Sequence, residues 1–310
     1  MLTQAPSHQR GMALVFLAGV LWSTVGLGVR FIEDAQVWQI LFFRSISLSI
    51  FLSLIIYLMR RENPLVLASR MGMNGVLGAL SLIAAYAGGI YSIQATSVGN
   101  AMLLFASAPF MAAILGQLVL GEKVRKATWL AIVVAMIGIA IMVADKFGGQ
   151  LIYGNLAAIG SAFGFAVFTI TLRRGKTTDM MPVVFLSGLF GIVIMAGICL
   201  NGSLSFFVSL NDIGISLSMG IFQVGAGLVL YTLGSRTVPA AELTLLALAE
   251  VVLGPFWVWL FLGEILTLHT IVGGAVLLVA IAGNALSGQR RKPPIHLSLI
   301  HISEPTRRSV

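Results

Sequence analysis

The sequence predicts an all-α membrane protein whose ten transmembrane helices form two inverted five-helix repeats. Three observations predict it: the composition, the sidedness of the basic residues, and a repeat of the chain at a spacing of 142 to 143 residues. Hydrophobic residues make up 58% of the chain and charged residues 10%, against about 25% charged in soluble domains. The mean hydropathy is +1.00. A net charge of +8 would suit a nucleic-acid partner only if the basic residues shared one soluble face. Here they lie in short loops between apolar runs, so no nucleic acid is expected. A single cysteine, Cys199 in an apolar run, rules out an intramolecular disulfide and a cysteine metal cage.

A bilayer-crossing helix needs about 20 apolar residues, and ten such runs follow one another along the chain. They are residues 11–31, 37–58, 73–93, 97–120 and 128–144, then 151–172, 181–200, 213–233, 238–262 and 268–286. The first run, preceded by His8 and Arg10, is too long for a signal-peptide core and has no small-residue cleavage site, so it is expected to be retained. The third and eighth are glycine-rich, which blurs their ends. The connections leave no room for a soluble domain.

The loops test the count. One set holds Arg60, Arg61 and Arg70, then Lys123, Arg125 and Lys126, then Arg173, Arg174 and Lys176, then Arg236, with Arg10 before the first run and Arg290, Arg291, Lys292, Arg307 and Arg308 after the last. The opposite set holds Glu33, Asp34, Asp145, Lys146, Asp212 and Glu264. Of nineteen basic residues, only Arg30, Arg44 and Lys146 fall outside the first set. Basic loops stay cytoplasmic, so both termini are expected in the cytoplasm.

Residues 97–143 and 239–285 run in parallel at a shift of 142, with about ten identities in 47 aligned pairs. The firm part is Leu118-Val119-Leu120-Gly121-Glu122 against Leu260-Phe261-Leu262-Gly263-Glu264. Residues 11–30 match 154–173 at a shift of 143, which sets Arg30 against Arg173 and Trp22 against Phe165. The halves are then residues 11–144 and 151–286, with 287–310 as a cytoplasmic tail. Five spans per repeat is odd, so the second half must enter the membrane from the opposite side. Inverted repeats are a common architecture of secondary transporters, whose substrate sites lie near the midplane.

Residues 11–286 resemble the ten-helix EamA-type members of the drug/metabolite transporter superfamily. The likeness rests on the five-plus-five layout, Leu21-Trp22-Ser23-Thr24 in the first span, Phe43-Arg44 early in the second, and the Leu-Gly-Glu endings of the fourth and ninth. It implies a central cavity lined by aromatic side chains, as in amino-acid exporters of that superfamily. The matching positions are Trp22, Tyr86, Phe105 and Phe165; the two phenylalanines offer no polar edge to a substrate.

Glu250 stands near the middle of the ninth run, where its repeat mate is Ala108. A carboxylate at membrane depth costs on the order of 2.5–3.5 kcal/mol even on lenient scales, and so marks function or a buried polar contact. It shares a helical stripe with Ala247, Gly254 and Trp257. Arg44 lies ~5 Å outward of the middle of its span, at a depth where it could meet Glu250. Two readings stand beside each other: a structural Arg44–Glu250 ion pair, or a site in which Arg44 takes a substrate carboxylate and Glu250 a proton or an ammonium group. The cavity candidates are therefore Trp22, Arg44, Tyr86, Phe105, Phe165, Glu250 and Trp257. Asn100 and its repeat mate Glu242, one turn inside their spans at opposite faces, are gate candidates, with plain helix-end polar groups as the alternative. Pro109 and Pro255 are expected to interrupt the hydrogen-bond ladders of the fourth and ninth helices.

An intramembrane enzyme is disfavoured by the residues themselves. All four aspartates lie outside the spans, and of four histidines only His269 is near one. No metal-ligand cluster, cofactor motif or catalytic constellation is visible. A channel would favour a continuous polar lining, and only isolated polar points occur. The function expected is secondary transport of small amphipathic metabolites, amino acids or related compounds, in the direction of export, by alternating access in a bacterial inner membrane. A multidrug or cation exporter of the same fold is the alternative. The expected partners are a small-molecule substrate, the lipid bilayer and, if transport is coupled, protons; facilitated diffusion stands beside coupling, and the oligomeric state is left open, a monomer being compatible with the sequence. Residues 296–310 differ in character from the rest, and Ser298–Ser309 reads like translated adapter DNA, so the native C-terminus is expected not to be represented.

Overall fold

The computed structural model describes residues 8–144, 150–175, 179–238 and 240–289. The expected charges at Asp145, Lys146 and Lys176 and the whole basic tail from Arg290 lie outside the described residues. Among those described, nine helices are long and apolar enough to cross a membrane: His8–Arg30, Val37–Arg60, Gly72–Ala95, Val98–Leu120, Lys126–Ala144, Leu151–Arg174, Met181–Asn201, Leu210–Gly234 and Leu268–Ser287. The remaining one, Ala240–Leu262, takes its place as span nine, with a shorter apolar part at Ala249–Leu262. The ten are called spans one to ten in chain order. A short helix, Pro64–Ser69, sits between spans two and three; Asn63 accepts from Leu65 N–H at its start.

The repeated Leu-Gly-Glu has a local cause. Gly121 and Gly263 follow the last turns of spans four and nine at φ of 68° and 67°, a left-handed conformation that only glycine adopts without a side-chain clash. Each glycine stops its helix and turns the next residue, Glu122 or Glu264, back along the bundle. Spans one, six and nine end or begin beside these turns, so spans one and nine finish at one membrane face and spans four and six at the other. These are named here the Glu264 face and the Glu122 face.

The two halves do not sit side by side as separate five-helix bodies. Span one packs along spans eight and nine, span six along spans three and four, and span two along spans seven and eight. Spans five and ten cross where Gly138 and Gly273 face each other: a Cβ at either would lie 2.7 Å or less from the other's carbonyl oxygen, so no side chain fits between the backbones. The buried core accordingly draws on both halves, with Leu48, Leu52, Ala79, Leu82 and Phe168 meeting Val183, Val184 and Leu228.

Three spans are irregular within their length. Span one breaks at Thr24, whose hydroxyl donates to Leu21 O, leaving helices His8–Ser23 and Val25–Arg30. Span four breaks after Phe105 and resumes at Ala108, with Pro109 in the first turn of the second piece, where a missing N–H leaves no intrahelical bond unmade. Span eight carries a π-helix over Met219–Ala226. The expectation of an interruption at Pro109 therefore holds. That at Pro255 holds for the ladder, which lacks one bond there, while Ala240–Leu262 continues through it as one helix. At Pro255 one bond of the ladder is lost inside a long packed helix, whereas at Pro109 the preceding turn is already opened by Ser107, whose hydroxyl turns back to Leu104 O.

Candidate functional site

The irregular stretches sit beside the candidate residues, in three groups. In the first, Trp22 precedes the break of span one and its ring lies 5.3 Å from that of Tyr231 on span eight. Gly227 makes this possible, since a Cβ there would lie 2.4 Å from the Trp22 indole nitrogen. One residue on, Ser23 Oγ accepts from Trp257 Nε1 at 2.9 Å, while donating to Val20 O. Trp257 and Glu250 share the face of span nine that approaches span one: the backbone nitrogen of Glu250 comes within 3.8 Å of a Cβ at Gly19, and Gly254 lies against Ser23 O and Met102. Glu250 is half-buried, and among the described residues no ion-pair partner reaches it.

The second group is purely aromatic. Phe105, at the break of span four, meets Phe165 of span six edge-on at 5.6 Å, and Phe165 meets Phe168 at the same distance. Phe165 is thus brought to the break of the other half just as its repeat mate Trp22 is to its own.

The third group is Arg44 and Tyr86. The guanidinium carbon lies 4.1 Å above the Tyr86 ring centroid, and Arg44 is 2% exposed. The anticipated Arg44–Glu250 ion pair is not formed. Depth allows it, but direction does not: Arg44 faces spans three and seven, where its cavity neighbours include Tyr86, Ser187 and Gly188, while Glu250 faces span one. A cation over an aromatic face gains electrostatic stabilisation that grows with desolvation, which gives Arg44 a partner other than a carboxylate.

Asn100 and Glu242 each bind the opening of the other half's first span. The Asn100 side-chain amide donates to Asn155 Oδ1 at the start of span six, and its oxygen accepts from Thr270 of span ten at 3.5 Å. Asn100 and Asn155 are both buried, and Asn155 Nδ2 has no partner there. Glu242 pairs with His8 at the start of span one at 3.2 Å, with both side chains substantially exposed.

The far ends of the same helix pairs carry matching ion pairs. Arg30 of the first half donates to Glu264 of the second at 3.0 Å, and Arg173 of the second pairs with Glu122 of the first at 2.8 Å. The two faces nevertheless differ. Glu264 also accepts from Val98 N at 2.7 Å, and Arg30 donates to Thr96 O at 2.8 Å, so the turn between spans three and four is tied to spans one and nine. The Arg30 and Glu264 side chains are 28% and 22% exposed, against 46% and 40% for Arg173 and Glu122. Among the described residues the Arg173 guanidinium pairs with Glu122 alone. The ion pair at the Glu264 face is therefore less exposed and more fully bonded than its counterpart at the Glu122 face.

Sequence reasoning did not single out Ser23, Tyr231, Gln223, Asn155 or Thr270. Gln223, in the π-helix, is 9% exposed with its Oε1 unbonded; π-helical turns recur at functional positions. An amide within an apolar run was visible for Asn155 and Gln223. Nothing in the sequence distinguishes Ser23 or Tyr231 from neighbours of the same type.

Comparison with known proteins adds to this geometry. A model of the EamA-like transporter family matches the chain twice, at residues 9–144 and 152–286. The pseudopaline exporter CntI of Pseudomonas aeruginosa is 26% identical over 279 residues, covering 87% of this chain and 94% of that protein. Human solute carrier family 35 member G1 is 25% identical over 297 residues, covering 89% and 79%. An uncharacterized transporter of Archaeoglobus fulgidus is 26% identical over 196 residues, covering 62% and 68%. One solved crystal structure superposes with a TM-score of 0.62 at 17% identity, covering 92% of this chain and all of that one, a likeness of fold.

Proposed function

The chain belongs to the EamA-like transporter family, and from that premise we propose that it exports small amphipathic metabolites, amino acids or related compounds, across a bacterial inner membrane by alternating access. The observation that carries the mechanism is the reciprocal pairing of Arg30 with Glu264 and of Arg173 with Glu122. Each face is held by a cation from one half and an anion from the other, and the pair at one face is less exposed than its counterpart. Inverted repeats that differ in this way represent one of two conformations, and exchange of the roles of the two halves generates the other. The positive-inside rule makes the Glu122 face cytoplasmic, and the better-buried pair at the opposite face supports reading this conformation as closed to the outside.

The substrate passes the midplane beside the broken helices, between the Trp22, Tyr231 and Trp257 group and the Phe105 and Phe165 group. Broken helices expose backbone polar groups where they line a cavity, and the aromatic side chains supply apolar contact. Glu250, with no cation among the described residues paired to it, takes a proton or the ammonium group of the substrate. The similarity to an exporter across 94% of that protein's length supports the outward direction. The absence of a described cationic partner for Glu250 also favours a second reading, export of cationic compounds.

A flux screen with everted membrane vesicles tests the proposal. Radiolabelled amino acids, nucleosides and cationic drugs are presented at the cytoplasmic face, with and without an imposed pH gradient. Saturable uptake of an amino-acid-like compound supports the first reading and uptake confined to cations the second. Flux through Glu250→Gln that still follows the pH gradient would remove Glu250 from coupling.

A further inference from the structure

Arg44 carries a charge that the structure leaves unanswered. The Tyr86 ring covers one face of the guanidinium, yet the N–H bonds of arginine lie in the guanidinium plane and point past that ring. Two of the nitrogens bearing them, Nε and Nη2, are buried with no acceptor. None of the five ion pairs among the described residues involves Arg44. A buried cation whose in-plane donors meet no acceptor is an arrangement that proteins avoid unless something else supplies the negative charge.

A small enclosed space lies beside it. Arg44 lines a cavity with Ser45, Leu48, Tyr86, Ser187 and Gly191, and no carboxylate contributes to its wall. Span seven comes close enough to enclose it because Gly188 and Gly191 have no side chains: a Cβ would lie 2.4 Å from Ser49 Oγ at the first and 2.5 Å from Ser45 Oγ at the second. The cavity volume is ≈ 10 Å³, about what one water-sized atom occupies. Two unmet donors of a fixed cation, a serine hydroxyl and room for one atom describe a receptor for a compact negative charge.

We propose that the cavity between spans two, three and seven binds a small monovalent anion on the in-plane N–H groups of Arg44. A chloride ion from solution and a single oxygen of a substrate carboxylate share this chemistry. The inference rests on Arg44 and its surroundings and stands independently of what the transporter carries.

The test uses the purified full-length protein in detergent at constant ionic strength, with gluconate, which is too large for the cavity, as the reference anion. Chloride, bromide or formate replaces it stepwise while the thermal unfolding midpoint and equilibrium binding of radioactive chloride are followed. The expected result is a saturable rise of the midpoint by several degrees with chloride and bromide, binding near one ion per chain, and at least tenfold weaker binding in Arg44→Lys. Saturation by formate with displacement of chloride identifies the carboxylate source at the same site. Identical midpoints in all four anions, with no bound chloride, would mean that the cavity holds water only and would overturn the proposal. So would undiminished halide binding in Arg44→Gln. Because the anion series is run on the unaltered protein, it decides the question even where an Arg44 variant fails to fold.

Discussion

Arg30 and Glu264, 234 residues apart, meet at 3.0 Å, and their repeat mates Arg173 and Glu122 meet at 2.8 Å on the opposite face. Each Leu-Gly-Glu turn therefore presents its carboxylate to the first span of the other half. The less exposed pair carries more of the closure, because solvent weakens an ion pair and exposed ones contribute at most about 1 kcal/mol. Glu264→Gln is expected to reduce transport at least fivefold, and Glu122→Gln by less than half that factor. The double variant Arg30→Glu/Glu264→Arg should recover part of the loss if the pair itself matters. Initial rates of flux in vesicles at matched protein levels check both.

The repeat register also specifies what the other conformation should contain. At a shift of 142, Thr96 corresponds to Val238 and Val98 to Ala240. Opening the Glu264 face should break the bonds from Arg30 to Thr96 O and from Val98 N to Glu264. Closing the other face should then form bonds from Arg173 to Val238 O and from Ala240 N to Glu122. Hydrogen exchange would read this as faster exchange at Val98 and slower exchange at Ala240 when the protein is trapped open to the outside. Both amides changing in the same direction would contradict it.

Gly227 should be intolerant of any side chain, because a Cβ would lie 2.4 Å from the Trp22 indole nitrogen. Gly227→Ala is expected to displace Trp22 and abolish most transport while the protein still reaches the membrane. Gly283→Ala, at which no atom lies within 4 Å of the added Cβ, should leave transport unchanged. Equal transport in the two variants would detach Trp22 from the substrate path.

Asn100 and Asn155 form a buried amide pair. Removing the Asn155 side chain leaves the Asn100 amide nitrogen desolvated and without this acceptor, at a cost of about 1–3 kcal/mol. Asn155→Ala should therefore lower the thermal unfolding midpoint by several degrees. Glu242→Ala, whose pair with His8 is largely exposed, should shift it little.

Orientation is open to labelling, since Cys199 is fully buried and can be replaced by alanine to give a cysteine-free background. Phe207, 97% exposed between spans seven and eight, should react as Phe207→Cys with a membrane-impermeant maleimide added to intact cells. Lys123→Cys should react only after the membrane is opened. The reverse pattern would invert the topology.

What could be read from the sequence is what depends on one dimension. Span lengths follow from runs of apolar residues. The Leu-Gly-Glu repeat was visible as a pattern, although its meaning was not: the left-handed glycine is local, but the partner of the glutamate is fixed only once spans one and nine pack. The same holds for Arg44. Its burial was evident from its place in an apolar run, but direction around a helix axis decides between Tyr86 and Glu250, and direction depends on which helices become neighbours. The break at Thr24 and the π-helix at Met219–Ala226 answer to tertiary packing, with no proline in either segment to announce them. Pro255 announces one lost ladder bond, which the long helix around it absorbs.

Counterflow in proteoliposomes tests alternating access most directly. Vesicles holding purified protein are loaded with an unlabelled compound from the flux screen and diluted into trace label of the same compound. An alternating-access carrier returns to the outer face bound to substrate, so the label should accumulate transiently above its outside concentration and should do so saturably. Label that only equilibrates, at a rate linear in concentration and indifferent to the compound inside, would contradict the account and describe a channel.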